Sequence, residues 1–391
     1  MLRLAELAFL GFVALMAVDQ PAPPVPVHAE WADALLPLAA LALGVAWLTR
    51  RAPRPRLSGE LWAAIGYLAC AAWSAYRNDS GGYKLLGLGE LVVVMVVARS
   101  LGRDAARRDR IVRAWVCGAA GVCAVGLVAA GLTLAGVSVS PLFVGTGELG
   151  LALRPAGVCG VGMLAAVSLV PILVLVVDGE RLFGARWRRL LLALIGLTVL
   201  LTLTRTLLAV VAGGLLVLVL RDGRTRLASA GLALLALAAL ASMRLDVHGD
   251  QAGVHFSAAP GIRWRIVTSA LERAAEHPLQ GHGPNAVAAV AGWPGAADEL
   301  YGWDAHSTAP DLAATLGIPA LLAFALLLAF ALRAGLRALR VQGDALQLAL
   351  LAGLGATLFD ALTIDVEDFR HVWLLLGLVA TTVPRVAPPA S

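Results

Sequence analysis

Long apolar runs separated by short polar segments dominate the hydropathy pattern of the chain. A helix of about 20 apolar residues crosses the hydrocarbon core of a bilayer, which is about 30 Å thick. Because no small-residue cleavage site follows the first run, we interpret it as a retained span. The pattern predicts twelve spans, at about 3–19, 31–49, 60–76, 84–99, 112–137, 157–178, 187–203, 206–220, 227–243, 309–332, 344–364 and 370–384.

The spans divide the chain into three parts. Residues 1–243 carry spans one to nine, 244–306 form one long polar loop, and 307–391 carry spans ten to twelve. The chain has 391 residues, of which 59% are hydrophobic, and its mean hydropathy is +0.81. A soluble protein of this length cannot bury so much apolar surface. We therefore predict an all-α polytopic membrane protein of about twelve transmembrane helices, without a soluble catalytic domain.

Basic residues are distributed unequally between the two sets of alternating loops. One set, with the two termini, holds 22 of the 31 Lys and Arg residues, and the other set holds nine. Short cytoplasmic loops of membrane proteins are enriched in Lys and Arg. The pattern predicts cytoplasmic termini, a periplasmic long loop, and an inner-membrane location. The net charge of +5 is therefore attributed to topology and anionic lipids, not to a nucleic-acid partner.

The long loop contains a segment with the periodicity of an amphipathic helix, at about 262–277. Pro260-Gly261 precedes this segment and His277-Pro278 follows it, which favours a helix between them. At 100° per residue Arg263 falls within the apolar stripe, whereas Arg265 faces the other way. The glycine-rich stretch GHGPNA at 281–286 matches no nucleotide-binding motif, so we predict a tight turn close to the membrane body. The predicted apolar stripe comprises Ile262, Ile266, Val267, Ala270, Leu271 and Ala274.

Two positions carry chemistry that topology does not explain. Arg205 lies between two apolar runs, where a charge is expensive unless it faces a cavity or a partner, and three threonines surround it. His306, two residues after Asp304, precedes the tenth span. It is a candidate general base or, alternatively, a polar residue at the membrane interface. The histidines of the loop match no metal-ligand spacing, and no nucleophile elbow is present.

Four stretches, in the same order as in the family, resemble the bacterial O-antigen ligase and O-antigen polymerase superfamily. They are RPAG at 154–157, LTRT at 203–206, RWRIVTSALERAAEHPLQGHGP from Arg263, and HSTAPDLAATLGIPALL from His306. Thr204 and Thr206 replace the usual Ser and Gly, and Val267 replaces an aromatic residue. This last departure leaves open whether Arg263 or Arg265 is the main loop arginine.

The resemblance implies an enzyme that moves glycans carried on undecaprenyl pyrophosphate, without a metal or other cofactor. It implies that Arg154, Arg205, Arg263 and Arg265 bind the pyrophosphate, as guanidinium groups suit phosphate oxygens, and that His306 is the catalytic base. One dominant loop favours an O-antigen ligase, which joins O-antigen to lipid A–core and completes lipopolysaccharide. The alternatives are an O-antigen or exopolysaccharide polymerase and a protein O-oligosaccharyltransferase. A transporter is disfavoured because we find no internal repeat and the charges of mid-span segments are few.

Overall fold

The structure is a computed structural model with a mainly helical fold. It describes residues 1–18, 31–54, 57–79, 82–137, 161–202, 204–222, 230–235, 237–238, 246–250, 253–257, 262–284, 305 and 307–381. Three of the residues singled out in the sequence, Arg154, Asp304 and His306, lie outside the described residues. Arg263 and Arg265 are described in their backbone only.

The first nine helices follow the apolar runs of the N-terminal part, and a short 3-10 helix at Trp31–Ala34 precedes the second. Polar N-cap residues precede several of them. The Asp104 side chain, for example, accepts a hydrogen bond from the Arg107 amide at the start of the fifth helix. The nine are α1 Leu2–Leu15, α2 Leu35–Leu48, α3 Gly59–Arg77, α4 Gly82–Leu101, α5 Ala105–Leu134, α6 Val161–Val177, α7 Gly179–Phe183, α8 Ala185–Thr202 and α9 Thr206–Asp222.

Among the described residues that follow, five further helices have defined bounds, and the long loop contains a hairpin. They are β1 Asp246–Asp250, β2 Gly253–Ser257, α10 Ile262–Glu276, α11 Thr308–Thr315, α12 Ile318–Gln342, α13 Ala345–Asp360 and α14 Arg370–Val379. The two strands pair antiparallel, with Asp246 opposite Ser257. This small sheet is an addition to the all-α architecture predicted from the sequence. Helix α10 has the predicted start and end.

Judged by length and composition alone, two helices in the part of the chain that the structure describes could cross a membrane. They are Ala105–Leu134 and Ile318–Val341. Shorter apolar helices coincide with several other predicted spans. The apolar helices agree with a membrane protein, and the number of spans stays a prediction.

The prediction of one continuous tenth span at 309–332 is wrong, because the chain forms two helices there, α11 and α12. Gly317 separates them with a φ of +88°, a backbone conformation that glycine adopts without steric cost. Pro319 then lies in the first turn of α12, where its missing N–H costs nothing. Hydropathy does not register this break, because the residues on both sides of it are apolar.

The helices of the N- and C-terminal parts pack closely against one another. Helix α3 lies against α12, α9 and α6 against α13, α4 against α14, and α1 against α2 and α5. Glycines permit two of these approaches: a Cβ on Gly118 would lie 2.4 Å from the Ala14 carbonyl oxygen, and one on Gly377 would lie 2.5 Å from that of Met95. Small residues allow helices to approach closely in this way in membrane proteins.

Ion pairs gather the loops of the arginine-rich set at one end of the helices, which we call the basic end. Arg110 pairs with Glu6 at 2.5 Å, Arg181 with Asp109 at 2.6 Å, and Arg108 pairs with Asp344. Residues of the other set meet at the opposite end, where Lys84 pairs with Asp368 and Asn78 Nδ2 donates to the Gly281 carbonyl at 3.3 Å. The helix ends are therefore segregated as the alternation of basic loops predicts.

The orientation of these two ends in the membrane is tested by cysteine accessibility. In a variant without the four native cysteines, we expect Leu279→Cys to react with an impermeant thiol reagent in cells with a permeabilised outer membrane. Arg337→Cys at the basic end should react only after the inner membrane is opened. Leu279 is suitable because its side chain is 67% exposed. Labelling of position 337 in the sealed inner membrane would reverse the predicted topology.

Candidate active site at the opposite end of the helices

Arg205 lies in the break between α8 and α9. Residues Thr204 and Arg205 are half-buried, and the carbonyl oxygens of both accept amide hydrogen bonds in the first turn of α9, from Leu207 at 3.2 Å and Leu208 at 2.8 Å. The Arg205 side chain is therefore presented at the start of a helix, where backbone N–H groups and the helix dipole also favour an anion.

The hydroxyl groups of the threonines around Arg205 form hydrogen bonds within the protein. The Thr202 hydroxyl donates to the Val199 carbonyl at 2.6 Å and lies 3.0 Å from the Thr204 hydroxyl. The Thr206 hydroxyl donates to the Asp360 carboxylate, at 3.1 Å from Oδ2. The hydroxyls of Thr202 and Thr206 thus hold the break in place.

Asp360, whose role the sequence analysis missed, ends α13 and is only 3% exposed. Its carboxylate fixes the start of α9, and the residues that follow it form the connection from α13 to α14 (361–369). The partner positions 206 and 360 are 154 residues apart in the chain. No local pattern could have paired them.

The residues that follow position 306 are held by this same connection. The Ser307 amide donates to Asp365 Oδ1 at 2.7 Å, and the Thr308 amide donates to the Ala361 carbonyl at 3.1 Å. The Thr308 hydroxyl donates to the Ile364 carbonyl at 3.1 Å. Since Thr206 contacts Asp360 and Thr308 contacts Ala361, the Arg205 break and the start of α11 meet at consecutive residues of the chain.

Asp311 fixes the other neighbour of position 306. Its Oδ1 accepts a hydrogen bond from the Ala305 amide at 3.2 Å. Ala305 is fully buried and belongs to a small apolar cluster with Ile266 and Ala270 of α10 and Ala314 of α11. The backbone around position 306 is thus held between α10, α11 and the connection from α13 to α14.

Helix α10 packs on α11 through a narrower stripe than the sequence predicts. Ile266, Val267, Ala270 and Ala274 are buried, whereas Leu271, predicted to be in the stripe, is 52% exposed. The helix begins with the turn that contains Arg263 and Arg265, and it leads to the turn at 277–283. Arg273, near its end, is half-buried, and its carbonyl oxygen lies 3.1 Å from His282 Nε2.

The predicted tight turn is confirmed at Gly281–Gly283. Its backbone hydrogen bonds hold the loop against the break between α11 and α12. The amides of His282 and Gly283 donate to the carbonyls of Ala314 and Thr315, both at 2.9 Å, and the Ile318 amide donates to the Pro278 carbonyl at 2.8 Å. A Cβ on Gly281, whose φ is +61°, would lie 2.3 Å from the Thr315 carbonyl oxygen. The backbone of the loop therefore lies directly on the backbone of the body.

This contact leads to a prediction with a matched control. Gly281→Ala should destabilise the protein by about 2–5 kcal/mol, because it adds a clash of about 1–3 kcal/mol to a backbone strain of about 1–2 kcal/mol. Gly343 has the same φ of +61° with nothing within 4 Å of its Cβ position, so Gly343→Ala should cost the strain alone. Thermal unfolding of the two variants in the same detergent measures the two losses of stability. Equal losses for the two variants would show that the loop does not need the close approach.

A second carboxylate-rich region, also missed in the sequence, adjoins this site. Glu367 is 3% exposed, and its Oε2 has no hydrogen-bond partner among the described residues. Burial raises the pKa of Glu367 well above its ordinary value, and the carboxylates of Asp368 and Asp311 raise it further. Lys84 forms an ion pair with Asp368 and lines the same small space. Such a carboxyl group is costly to ionise.

Glu367 therefore gives a stability prediction that depends on pH. With a raised pKa in the folded state, ionisation of Glu367 favours unfolding once the pH exceeds the unfolded pKa of about 4.3. We expect Glu367→Gln to raise the Tm relative to the unsubstituted protein by an amount that grows as the pH rises above that value. Glu272→Gln, at an exposed position of α10, is the control. A gain in Tm that is the same at every pH would contradict the assignment.

A comparison with known protein families gives a match that covers part of this site. Residues 190–325 match the family model described as O-antigen ligase. No curated protein matches the chain significantly. The matched segment runs from within α8 into α12 and contains Arg205, Arg263, Arg265 and His306, whereas Arg154 and Asp360 lie outside it. Three of the four motifs, those at 203–206, from Arg263 and from His306, lie within the matched segment, and the match supports the resemblance of residues 190–325 to the O-antigen ligase and O-antigen polymerase superfamily.

Proposed function

We propose that the protein is an O-antigen ligase: a glycosyltransferase that moves O-antigen polysaccharide from undecaprenyl pyrophosphate to a sugar hydroxyl of lipid A–core. The observation that carries the proposal is the meeting of the Arg205 break with the start of α11. Thr206 binds Asp360, and Ser307 and Thr308 bind Asp365 and Ala361. Arg205 and position 306 thus depend on one short connection, as expected for two parts of a single reaction centre.

In the proposed reaction, the acceptor hydroxyl oxygen attacks the anomeric carbon of the donor glycan. The bond from that carbon to the pyrophosphate oxygen breaks, and undecaprenyl pyrophosphate leaves with the bonding electrons. His306 takes the proton of the hydroxyl, for which an imidazole has a suitable pKa. Arg205, Arg263, Arg265 and Arg154 stabilise the charge that develops on the leaving diphosphate.

The proposed location follows from the topology. Both substrates are anchored in lipid, so their reactive groups meet at the height of the membrane surface. We assign the end that carries Arg205 and the start of α11 to the periplasmic side of the inner membrane, and the basic end to the cytoplasm. The long loop at 244–306 then covers the reaction centre and supplies Arg263 and Arg265.

The reaction type is tested with purified protein in lipid, undecaprenyl-pyrophosphate-linked glycan and lipid A–core, with products separated by gel electrophoresis. A ligase yields lipid A–core that carries the glycan. A lengthened polyprenyl-linked chain without modified lipid A–core would instead identify a polymerase. Transfer that requires a protein acceptor would identify an oligosaccharyltransferase. Intact donor and acceptor after incubation with folded protein would overturn the proposal.

A further inference from the structure

A cavity of about 660 Å³ lies at the basic end, at the other end of the helices from the candidate active site. The C-terminal parts of α9 and α12 and the start of α13 form its wall. Two exposed guanidinium groups, from Arg221 and Arg340, line it together with apolar side chains of Leu336, Leu339 and Leu348. The cavity therefore combines two cations with an apolar wall at a membrane edge.

The electrostatics of this cavity favour an anion. Asp344 also lines it, but its carboxylate is engaged twice: Oδ2 by Arg108, and Oδ1 by the Leu346 amide at 3.1 Å. Arg108 thus compensates the charge of Asp344. Arg221 also interacts within the chain, but a guanidinium has five N–H donors and can serve a further acceptor. The residues that line the cavity carry two positive charges, on Arg221 and Arg340, and one negative charge, on Asp344.

We propose that this cavity is a binding site for one anionic phospholipid. Arg221 and Arg340 bind the oxygens of its phosphate, and an acyl chain lies against Leu336, Leu339 and Leu348. Guanidinium groups suit this role because they bind phosphate oxygens in a bidentate manner and are weakly hydrated. The site is separate from the catalytic residues, and it does not depend on which glycan or acceptor the enzyme uses.

A true site differs from the general attraction between basic loops and anionic lipids, which is about 1 kcal/mol for each Lys or Arg near the surface. General attraction depends on the number of charges and not on their position. Arg333 and Arg337 provide the comparison, because they are exposed residues of the same helix as Arg340 and are not among the residues lining the cavity. A double Arg→Gln substitution at either pair changes the net charge equally.

The test uses the full chain in phosphatidylcholine nanodiscs to which phosphatidylglycerol is added, with native mass spectrometry to count bound lipid. The unsubstituted protein should retain one phosphatidylglycerol per chain. R221Q/R340Q should weaken this retention by about tenfold or more, since charge-assisted hydrogen bonds are lost, whereas R333Q/R337Q should retain it. Inorganic phosphate at millimolar concentration should not displace the lipid, because it lacks the acyl chain.

A cavity-filling variant separates the pocket from its charges. Leu336→Trp keeps both arginines and reduces the space for the lipid, so it should also lose the retained phosphatidylglycerol, with an unchanged Tm in phosphatidylcholine alone. Equal retention in R221Q/R340Q and R333Q/R337Q would overturn the proposal. Displacement by inorganic phosphate would show a simple anion site instead of a lipid site and would also count against it.

Discussion

His306→Ala should reduce glycan transfer by about 10²–10⁴-fold at neutral pH, the usual cost of losing a general base. The expected loss is large because the proposed reaction assigns the proton of the acceptor hydroxyl to His306 alone. Both neighbours of position 306 are fixed, Ala305 through Asp311 and Ser307 through Asp365. The residues that flank the proposed base are therefore held by hydrogen bonds to α11 and to the connection from α13 to α14.

His306→Gln separates basicity from hydrogen bonding. Glutamine can position the acceptor hydroxyl, but it cannot take its proton, so we expect a loss close to that of alanine. His282→Ala is the control, because His282 lies in the turn at 277–283 and its ring contacts the Arg273 carbonyl; the activity of this variant should remain within a few fold. Transfer is measured at equal protein abundance. Full activity of His306→Gln would make His306 an interfacial polar residue.

Arg205→Lys should reduce transfer at least tenfold, although it keeps the positive charge. A lysine offers a point charge and loses the planar fork that binds two phosphate oxygens at once, and one lost charge-assisted hydrogen bond costs about 1.5–3 kcal/mol. The same loss is expected for Arg263→Lys. Arg205 lies at the start of α9, where Thr206 and Asp360 hold the backbone. The shorter, flexible amine of lysine would not recover this geometry.

Arg273 provides the control for arginine identity. It lies near the end of α10, just before the turn at 277–283. We expect both Arg273→Lys and Arg273→Ala to cause only a small loss of transfer activity. The measurement is the initial rate of transfer against donor concentration, with the donor-saturated rate reported separately. If lysine were tolerated equally at 205, 263 and 273, specific recognition of the diphosphate by these arginines would be wrong.

The sequence predicted those features that depend on local pattern. Helix α10 was placed at its observed start and end because its periodicity is bounded by Pro260-Gly261 and His277-Pro278. The turn at Gly281 was predicted because glycines permit a close backbone approach. The break at Gly317 was missed, because an average over apolar residues does not detect one glycine with positive φ. The exposure of Leu271 was missed because the helical period does not give the width of the contact.

Contacts between residues far apart in the sequence could not be predicted from local sequence patterns. Asp360 and Asp365 are ordinary carboxylates at the end of an apolar run, and only the folded chain places them against Thr206 and Ser307. The same holds for Glu367, whose neighbours Asp311 and Lys84 come from different helices. These residues connect the motifs that the sequence had identified separately.

In the proposed reaction, one reaction centre, with His306 as base, joins the glycan to lipid A–core and releases undecaprenyl pyrophosphate. The most direct measurement counts both products in one reaction, with the unsubstituted protein and with His306→Gln at the same abundance. We expect one undecaprenyl pyrophosphate to be released for each lipid A–core modified, and a parallel loss of both products in the variant. Release of undecaprenyl pyrophosphate without modified lipid A–core, or equal yields from the two proteins, would contradict it.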